Sequence, residues 1–150
     1  MILTPFGPKI YHDKIDEEVR LDLLRYAFEA EPSQDASGIL AGQLEEQYYI
    51  YPSKRDLNEL RKHIGTYTNQ NYIDIEPIWV NFQRADDWQP VHNHAGEFSF
   101  VVYVDIPPGM YDEPEIAGSI VFNYGEQLPH SRCQFGPIKP QVGDIFIFPA

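Results

Sequence analysis

Cysteine is almost absent from this chain. Cys133 is its one thiol, so no disulfide can form within it. Positive charge is scarce as well: 11 Lys and Arg stand against 23 Asp and Glu, and the formal net charge is −12. A nonspecific nucleic-acid binder needs a basic surface to neutralise phosphates, so that class is excluded by charge. Docking on an anionic membrane surface is disfavoured for the same reason, and no apolar run approaches the roughly 20 residues of a membrane span. The opening Met-Ile-Leu-Thr-Pro-Phe-Gly-Pro has neither the basic start nor the apolar stretch of a signal peptide. Together these absences lead to the expectation of a soluble, cytoplasmic protein. No internal repeat or low-complexity tract is evident, which removes solenoids and linkers from consideration.

Apolar residues, by contrast, are plentiful. They make up 43% of 150 residues, enough for one domain with its own core. Aromatics reach 14%, with 10 Tyr and 9 Phe, a richness that favours a β-dominated core.

Hydrophobic periodicity divides the chain into a helical part, about residues 1–70, and a β-sandwich part, about 71–150. Residues 1–14 read as extended. Asp16 is placed to cap a helix running from Glu17 towards Glu31, with Val19, Leu23, Leu24, Ala27 and Phe28 as its apolar stripe and Pro32 as its stop. Tyr48 to Tyr51 suits a short strand or a packed turn. Ser53 opens a capping pattern with Asp56, and Leu57, Leu60, Ile64 and Tyr67 continue one helical face. Short strands with turn punctuation are then expected at Ile73–Ile75, Ile78–Gln83, Phe98–Ile106, Ser119–Tyr124 and Ile145–Phe148, with Gln127 to Gly136 irregular. The Pro-rich segment Pro107 to Pro114 suits a lid, a rim or a plain connector. The fold class is therefore α+β, mainly β: a jelly-roll sandwich in one domain, with N-terminal helices packed on it.

The stretch that carries chemistry is Gln89-Pro-Val-His92-Asn-His94-Ala-Gly-Glu97, set directly before the most strand-like run. In extended backbone, residues i and i+2 point to one face, so His92 and His94 can present two imidazoles side by side. Neutral imidazole is the commonest protein metal ligand, but a catalytic metal needs about three protein donors. A His-x-His pair in a polar loop is also often simply solvated. Asn81, Arg84 and Tyr103 are candidates to line a pocket, although each residue type is more often structural.

Three blocks carry a resemblance. They are Trp79-Val-Asn-Phe82 through His92-Asn-His94-Ala-Gly-Glu-Phe-Ser-Phe-Val-Val-Tyr-Val104, the closing Gly143-Asp-Ile-Phe-Ile-Phe-Pro-Ala150, and the earlier Pro5-Phe-Gly-Pro-Lys-Ile-Tyr11 with Leu40-Ala-Gly-Gln-Leu44. In them the chain resembles the 2-oxoglutarate/Fe(II)-dependent oxygenases common in bacteriophages, especially those infecting cyanobacteria. The resemblance implies a double-stranded β-helix (jelly-roll, cupin-like) core. It implies Fe(II) as metal and 2-oxoglutarate and O2 as reactants, with host cytoplasm or virion as location. By the same resemblance His92 and His94 are the metal donors, although His94 stands where the wider superfamily carries Asp or Glu. The family's distal His and its basic residue for 2-oxoglutarate would follow Ala150, so a strand beyond the given end is expected and the edge of the last strand is expected to lie open. Two other readings share the fold: a cupin-like metal protein with Glu97 or His130 as further ligand, and a non-catalytic jelly-roll binding phage particle proteins or copies of itself.

Overall fold

The computed structural model describes residues 1–3, 7–36, 44, 46–114, 116–125 and 134–150. His130, Cys133 and most of Leu40–Leu44 lie outside the described residues. In chain order the elements are β1 (Ile2–Leu3), β2 (Ile10–Lys14), α1 (Glu17–Glu29), β3 (Glu46–Ile50), α2 (Lys54–Thr68), β4 (Ile78–Phe82), β5 (Phe98–Val102), β6 (Ile120–Asn123), β7 (Gln134–Ile138) and β8 (Asp144–Pro149). Short 3-10 turns lie at Pro32–Gln34 and Pro108–Asp112. The class is α+β, mainly β, as expected. Among the described residues the strands close no barrel: they form one four-stranded and two two-stranded sheets. No helix there is long and apolar enough to cross a membrane. The chain divides into two compact units, one of Asp16–Asn93 and one of Met1–Ile15 with His94–Ala150.

In the unit Asp16–Asn93 both helices begin where capping chemistry places them. The Asp16 carboxylate accepts from the N–H groups of Glu18 at 2.9 Å and Val19 at 3.4 Å. Val19, Leu23 and Ala27, four residues apart, form the buried line of α1. Phe28 was expected on that line but is 70% exposed. It lies one position round from Ala27, and its ring meets Phe82 of β4 at the rim instead, with centroids 6.0 Å apart. Ser53 Oγ accepts from Asp56 N–H at 3.3 Å to start α2, which buries Leu60, Ile64 and Tyr67 and ends at Asn69 in the left-handed region.

Asp56 is fully enclosed. Burial opposes its charge. Hydrogen bonds from Ser53 Oγ at 2.6 Å, Tyr26 of α1 at 3.0 Å and Arg55 outweigh that and hold its carboxyl below the ordinary range. The carboxylate thus ties α1 to α2. β3 and β4 pair antiparallel from Glu46↔Phe82 to Ile50↔Ile78. The strand expected at Ile73–Ile75 is not formed: the segment leaves α2 irregularly, and Ile73 O accepts from Arg61 Nε at 3.2 Å rather than from a ladder partner.

The other unit is organised around β8. β8 pairs antiparallel with β5 on one side, Val102↔Ile145 through Phe98↔Pro149. On the other it pairs with β2, Lys14↔Asp144 through Tyr11↔Ile147. This corrects the expectation of an open edge. The N-terminal segment fills it, so Ile145, Phe146 and Ile147 are 0% exposed. Alternation puts Ile145 and Ile147 on one face and Asp144, Phe146 and Phe148 on the other. Gly143, at φ +85°, makes the turn into the strand as anticipated.

β6 and β7 form a second sheet in this unit, with a register irregularity between Ile120 and Phe122. Phe122 of β6 packs its ring on Phe146 at 6.0 Å and on Phe148 at 5.1 Å, which layers the two sheets over β8. Part of β7 falls where an irregular segment was expected. Gly136 interrupts the β-pattern there, at φ +110°, in a place where any Cβ would stand 2.9 Å from Ile120 O. The Pro-rich connector is pinned, since Lys139 Nζ donates to Glu113 O at 2.9 Å and Pro114 O at 3.2 Å.

Candidate functional site

The segment that links β4 to β5 starts with a built turn. Asp87 accepts from Arg84 N–H through its carboxylate at 2.8 Å, and its own N–H donates to Arg84 O at 3.2 Å. Gln83 Nε2 donates to Asp87 O at 3.1 Å. Asp86 takes φ +70° at the tip, a conformation that Asp tolerates better than most side chains. After the turn, Trp88 and Val91 are exposed.

His92 closes the unit Asp16–Asn93. Its ring is exposed and its Nδ1 lies 2.8 Å from Pro90 O. A carbonyl oxygen only accepts, so the Nδ1 proton makes this bond. His94 opens the other unit. It is half-buried, and its ring meets Phe148 edge-on, 6.0 Å between centroids at 72°. Gly96, at φ +97°, then turns the chain into β5; the nearest atom to a Cβ there is 3.9 Å away, so backbone conformation rather than crowding asks for glycine.

Tyr103 lies just past β5, on the same face of β8 as His94. Its N–H donates to Asp144 O at 2.9 Å, and its ring meets Phe146 edge-on at 6.2 Å. Burial, and secondarily the Asp144 carboxylate, push its hydroxyl far above the ordinary tyrosine range. It therefore stays protonated, a fixed O–H donor, throughout the physiological range.

The row Asp144, Phe146, Phe148 thus gathers Tyr103 and His94 within one unit. Asn81 and Arg84 belong to the unit Asp16–Asn93. Asn81 is exposed on β4 opposite Gln47, and Arg84 Nη2 is engaged with Glu46 Oε1 at 2.6 Å. Glu97 is exposed, and its backbone O accepts from Ala150 N–H at 3.3 Å. Among the described residues no group of three or more His, Cys, Asp and Glu side chains stands together in a way that could hold a metal.

Sequence reading missed a polar cluster at the start of β8. Asp144, 3% exposed, accepts at Oδ1 from Lys14 Nζ at 2.8 Å and at Oδ2 from Gln141 N–H at 2.7 Å. His12 Nε2 lies 3.1 Å from Oδ1, within ion-pair distance but not aligned for a hydrogen bond, while its ring stacks on Phe146 at 4.3 Å and 6°. Burial disfavours the Asp144 charge. Lys14, the Gln141 N–H and His12 more than offset this and hold the carboxyl below the ordinary range. The alternation of Ile10, His12 and Lys14 was the available signal, but nothing local says that the partner of His12 and Lys14 is Asp144, near the far end of the chain.

The fold is mainly β, and in the unit that holds β8 the His94 ring lies against the aromatic row of that strand. Residues 77–150 match the model of a family described as "Putative 2OG-Fe(II) oxygenase". That match supports the 2-oxoglutarate/Fe(II) oxygenase family, with the Fe(II) and 2-oxoglutarate which that family implies, and it spans β4, both histidines and β8. No curated protein and no solved structure matches the chain.

Proposed function

We propose that the protein is a 2-oxoglutarate/Fe(II)-dependent oxygenase, that His92 and His94 are its metal donors, and that its strands belong to a double-stranded β-helix. The observation that carries this reading is the family match over residues 77–150, which contains the His-x-His segment and β8. A phage origin, with host cytoplasm or virion as location and a peptide, a nucleobase or a small metabolite as substrate, extends it on the resemblance of those blocks.

The two imidazoles supply part of the roughly three protein donors that a catalytic metal needs, and no such group of three stands together among the described residues. Two imidazoles suit Fe(II), and the Nδ1–H of His92 is committed to Pro90 O, so in the neutral ring the lone pair resides on Nε2. When bound, the iron with 2-oxoglutarate would supply activation of O2, coupled to decarboxylation to succinate and CO2. This chain's own residues have simpler work. His92 and His94 hold the metal; Tyr103 offers a protonated hydroxyl to a carboxylate oxygen; Phe122, Phe146 and Phe148 keep water from the enclosed side. Asn81 and Arg84 remain pocket candidates by sequence position.

Anaerobic titration with Fe(II), followed by a succinate assay with 2-oxoglutarate and O2, tests the reading. Weak binding and no succinate from the 150-residue form, with stoichiometric binding by a longer form carrying a downstream His that His92→Ala abolishes, is the expected result. Binding and turnover unchanged in His92→Ala would remove the reading's basis.

A further inference from the structure

We infer that the C-terminal half of α2 carries a binding site for a small organic carboxylate, with Arg61 as its cation and the carboxamides of Asn69, Gln70 and Asn71 as neutral donors. The site lies wholly within the unit Asp16–Asn93 and is independent of the metal-binding reading.

Acidic residues outnumber basic ones 23 to 11, so a cation in this chain is expected to find a carboxylate. Among the described residues Arg20, Arg25, Arg55 and Arg84 do so, each pairing with Asp or Glu. Arg61 does not. It is half-buried, and its bonds go to neutral oxygens: Nε donates to Ile73 O at 3.2 Å and Nη1 to Asn58 Oδ1 at 3.2 Å. These two bonds hold the guanidinium in one plane and leave Nη2 uncommitted. A fixed planar fork with free donors fits the paired oxygens of a carboxylate. Anchoring it beforehand also removes part of the ordering cost of binding.

Arg61 lines an open concavity of about 410 Å³ on the outside of α2. Gly65 shapes it. Glycine weakens a helix interior, but here it lets the chain that leaves α2 return close by. A Cβ at Gly65 would stand 3.1 Å from Gln70 O and 3.6 Å from Ile73 Cδ1. The return brings the exposed carboxamides of Asn69, Gln70 and Asn71 to the wall of the concavity. It also makes Ile73 both an apolar patch in that wall and the anchor of Arg61.

The negative end of the α2 dipole opposes an anion, but that effect falls off within the last turn. Arg61 lies almost two turns before Thr68, and Thr68 Oγ1 and Asn69 N–H already occupy Ile64 O and Gly65 O. Lys62, at the rim, is neutralised by Glu59 at 2.6 Å. One uncommitted cation matches one negative charge, which favours a carboxylate over a doubly charged phosphate. A merely hydrated arginine would be as accessible, but it would show no saturable preference for carboxylate.

The test uses the full chain with sodium acetate, sodium phosphate and sodium chloride as probes, at a constant ionic strength of about 0.15 M, where charges more than about 8 Å away are screened. Nitrogen-15 NMR follows Arg61 Nε–H, identified by its absence from Arg61→Lys, and the side-chain amides of residues 69–71. The expected result is a saturable shift of these signals with acetate, weaker binding of phosphate and no saturable shift with chloride. Arg61→Lys keeps the charge but lacks the fork, and is expected to weaken acetate binding about 10-fold. Asn71→Asp leaves both anchoring bonds of Arg61 in place and adds a negative charge to the wall, for a loss of at least about 10-fold.

Shifts that grow linearly with acetate and match those from chloride overturn the inference. Unaltered acetate affinity in Asn71→Asp does so as well, and that variant decides the matter even if Arg61→Lys fails to fold. Tighter binding of phosphate than of acetate overturns the assignment to a carboxylate.

Discussion

The two ends of β8 are built from different chemistry. At Asp144 a buried carboxylate gathers Lys14, the Gln141 N–H and His12, and two strands flank it with full ladders. At Phe148 the same face is half-buried, apolar and aromatic, with Phe122 on one side and the edge of His94 on another. One end fastens the N-terminal strand to the sheet. The other leaves an imidazole supported but reachable. Four residues of extended chain, about 13 Å, separate the two ends.

Phe146 joins the two ends, touching His12, Tyr103 and Phe122 and lying fully buried. Removing it should break the comparison altogether. Phe146→Ala is expected to cost about 3–5 kcal/mol, as large-to-small changes at enclosed aromatic sites do. Urea unfolding followed by fluorescence measures it. A loss below about 1 kcal/mol would show that the two ends do not depend on a shared core.

The next effect belongs to the Asp144 end alone. Asp144→Ala leaves the Gln141 N–H and the Lys14 ammonium short of a partner, an expected loss of about 1–3 kcal/mol at neutral pH. A pH dependence goes with it. The folded-state pKa of Asp144 is depressed, so its contribution is complete above the ordinary aspartate value and is lost as pH falls through the lower folded value. The parent protein should therefore lose stability in that acid window, and Asp144→Asn should lose less there while being less stable at neutral pH. Parallel acid limbs in the two proteins would count against the cluster. Tyr103 should remain protonated in Asp144→Asn, because burial is the larger cause of its raised pKa.

Much of this architecture was legible in the chain, and the gaps have physical causes. Both helices could be read because Asp16, Ser53 and Asn69 end them through local chemistry. β8 could be read because an alternating apolar run follows Gly143. Residues 1–14 read as extended, but the pairing of β2 with β8 could not be read: Ile-Tyr-His-Asp-Lys is half polar, and its pairing reward lies at the far end of the chain. β7 hid behind Gly136 and Pro137, residues that ordinarily argue against a strand. At the candidate site the His-x-His spacing was visible, while the bond from His92 to Pro90 and the contact of His94 with Phe148 needed coordinates. Asn81 and Arg84 were pocket candidates by sequence; in the structure Asn81 is exposed and Arg84 pairs with Glu46 at the surface.

The smallest stability effect should fall at the Phe148 end, where it is also the most telling. Phe148 is half-buried, so Phe148→Leu keeps much of the apolar contact and is expected to cost about 1 kcal/mol. Its ring, however, is the surface against which the His94 edge rests, and leucine offers no flat face for it. If that contact orients a metal donor, Zn(II) affinity should fall about 10-fold while the fold is nearly unharmed. Phe135→Leu serves as the control: Phe135 stacks on Phe122 at 6.4 Å, in the same aromatic layer but one ring removed from the β8 face. Calorimetric titration of both variants separates the two roles. Weakened binding in Phe148→Leu alone would assign the open end of β8 to ligand support, whereas equal affinities in both variants would reduce the Phe148 contact to packing.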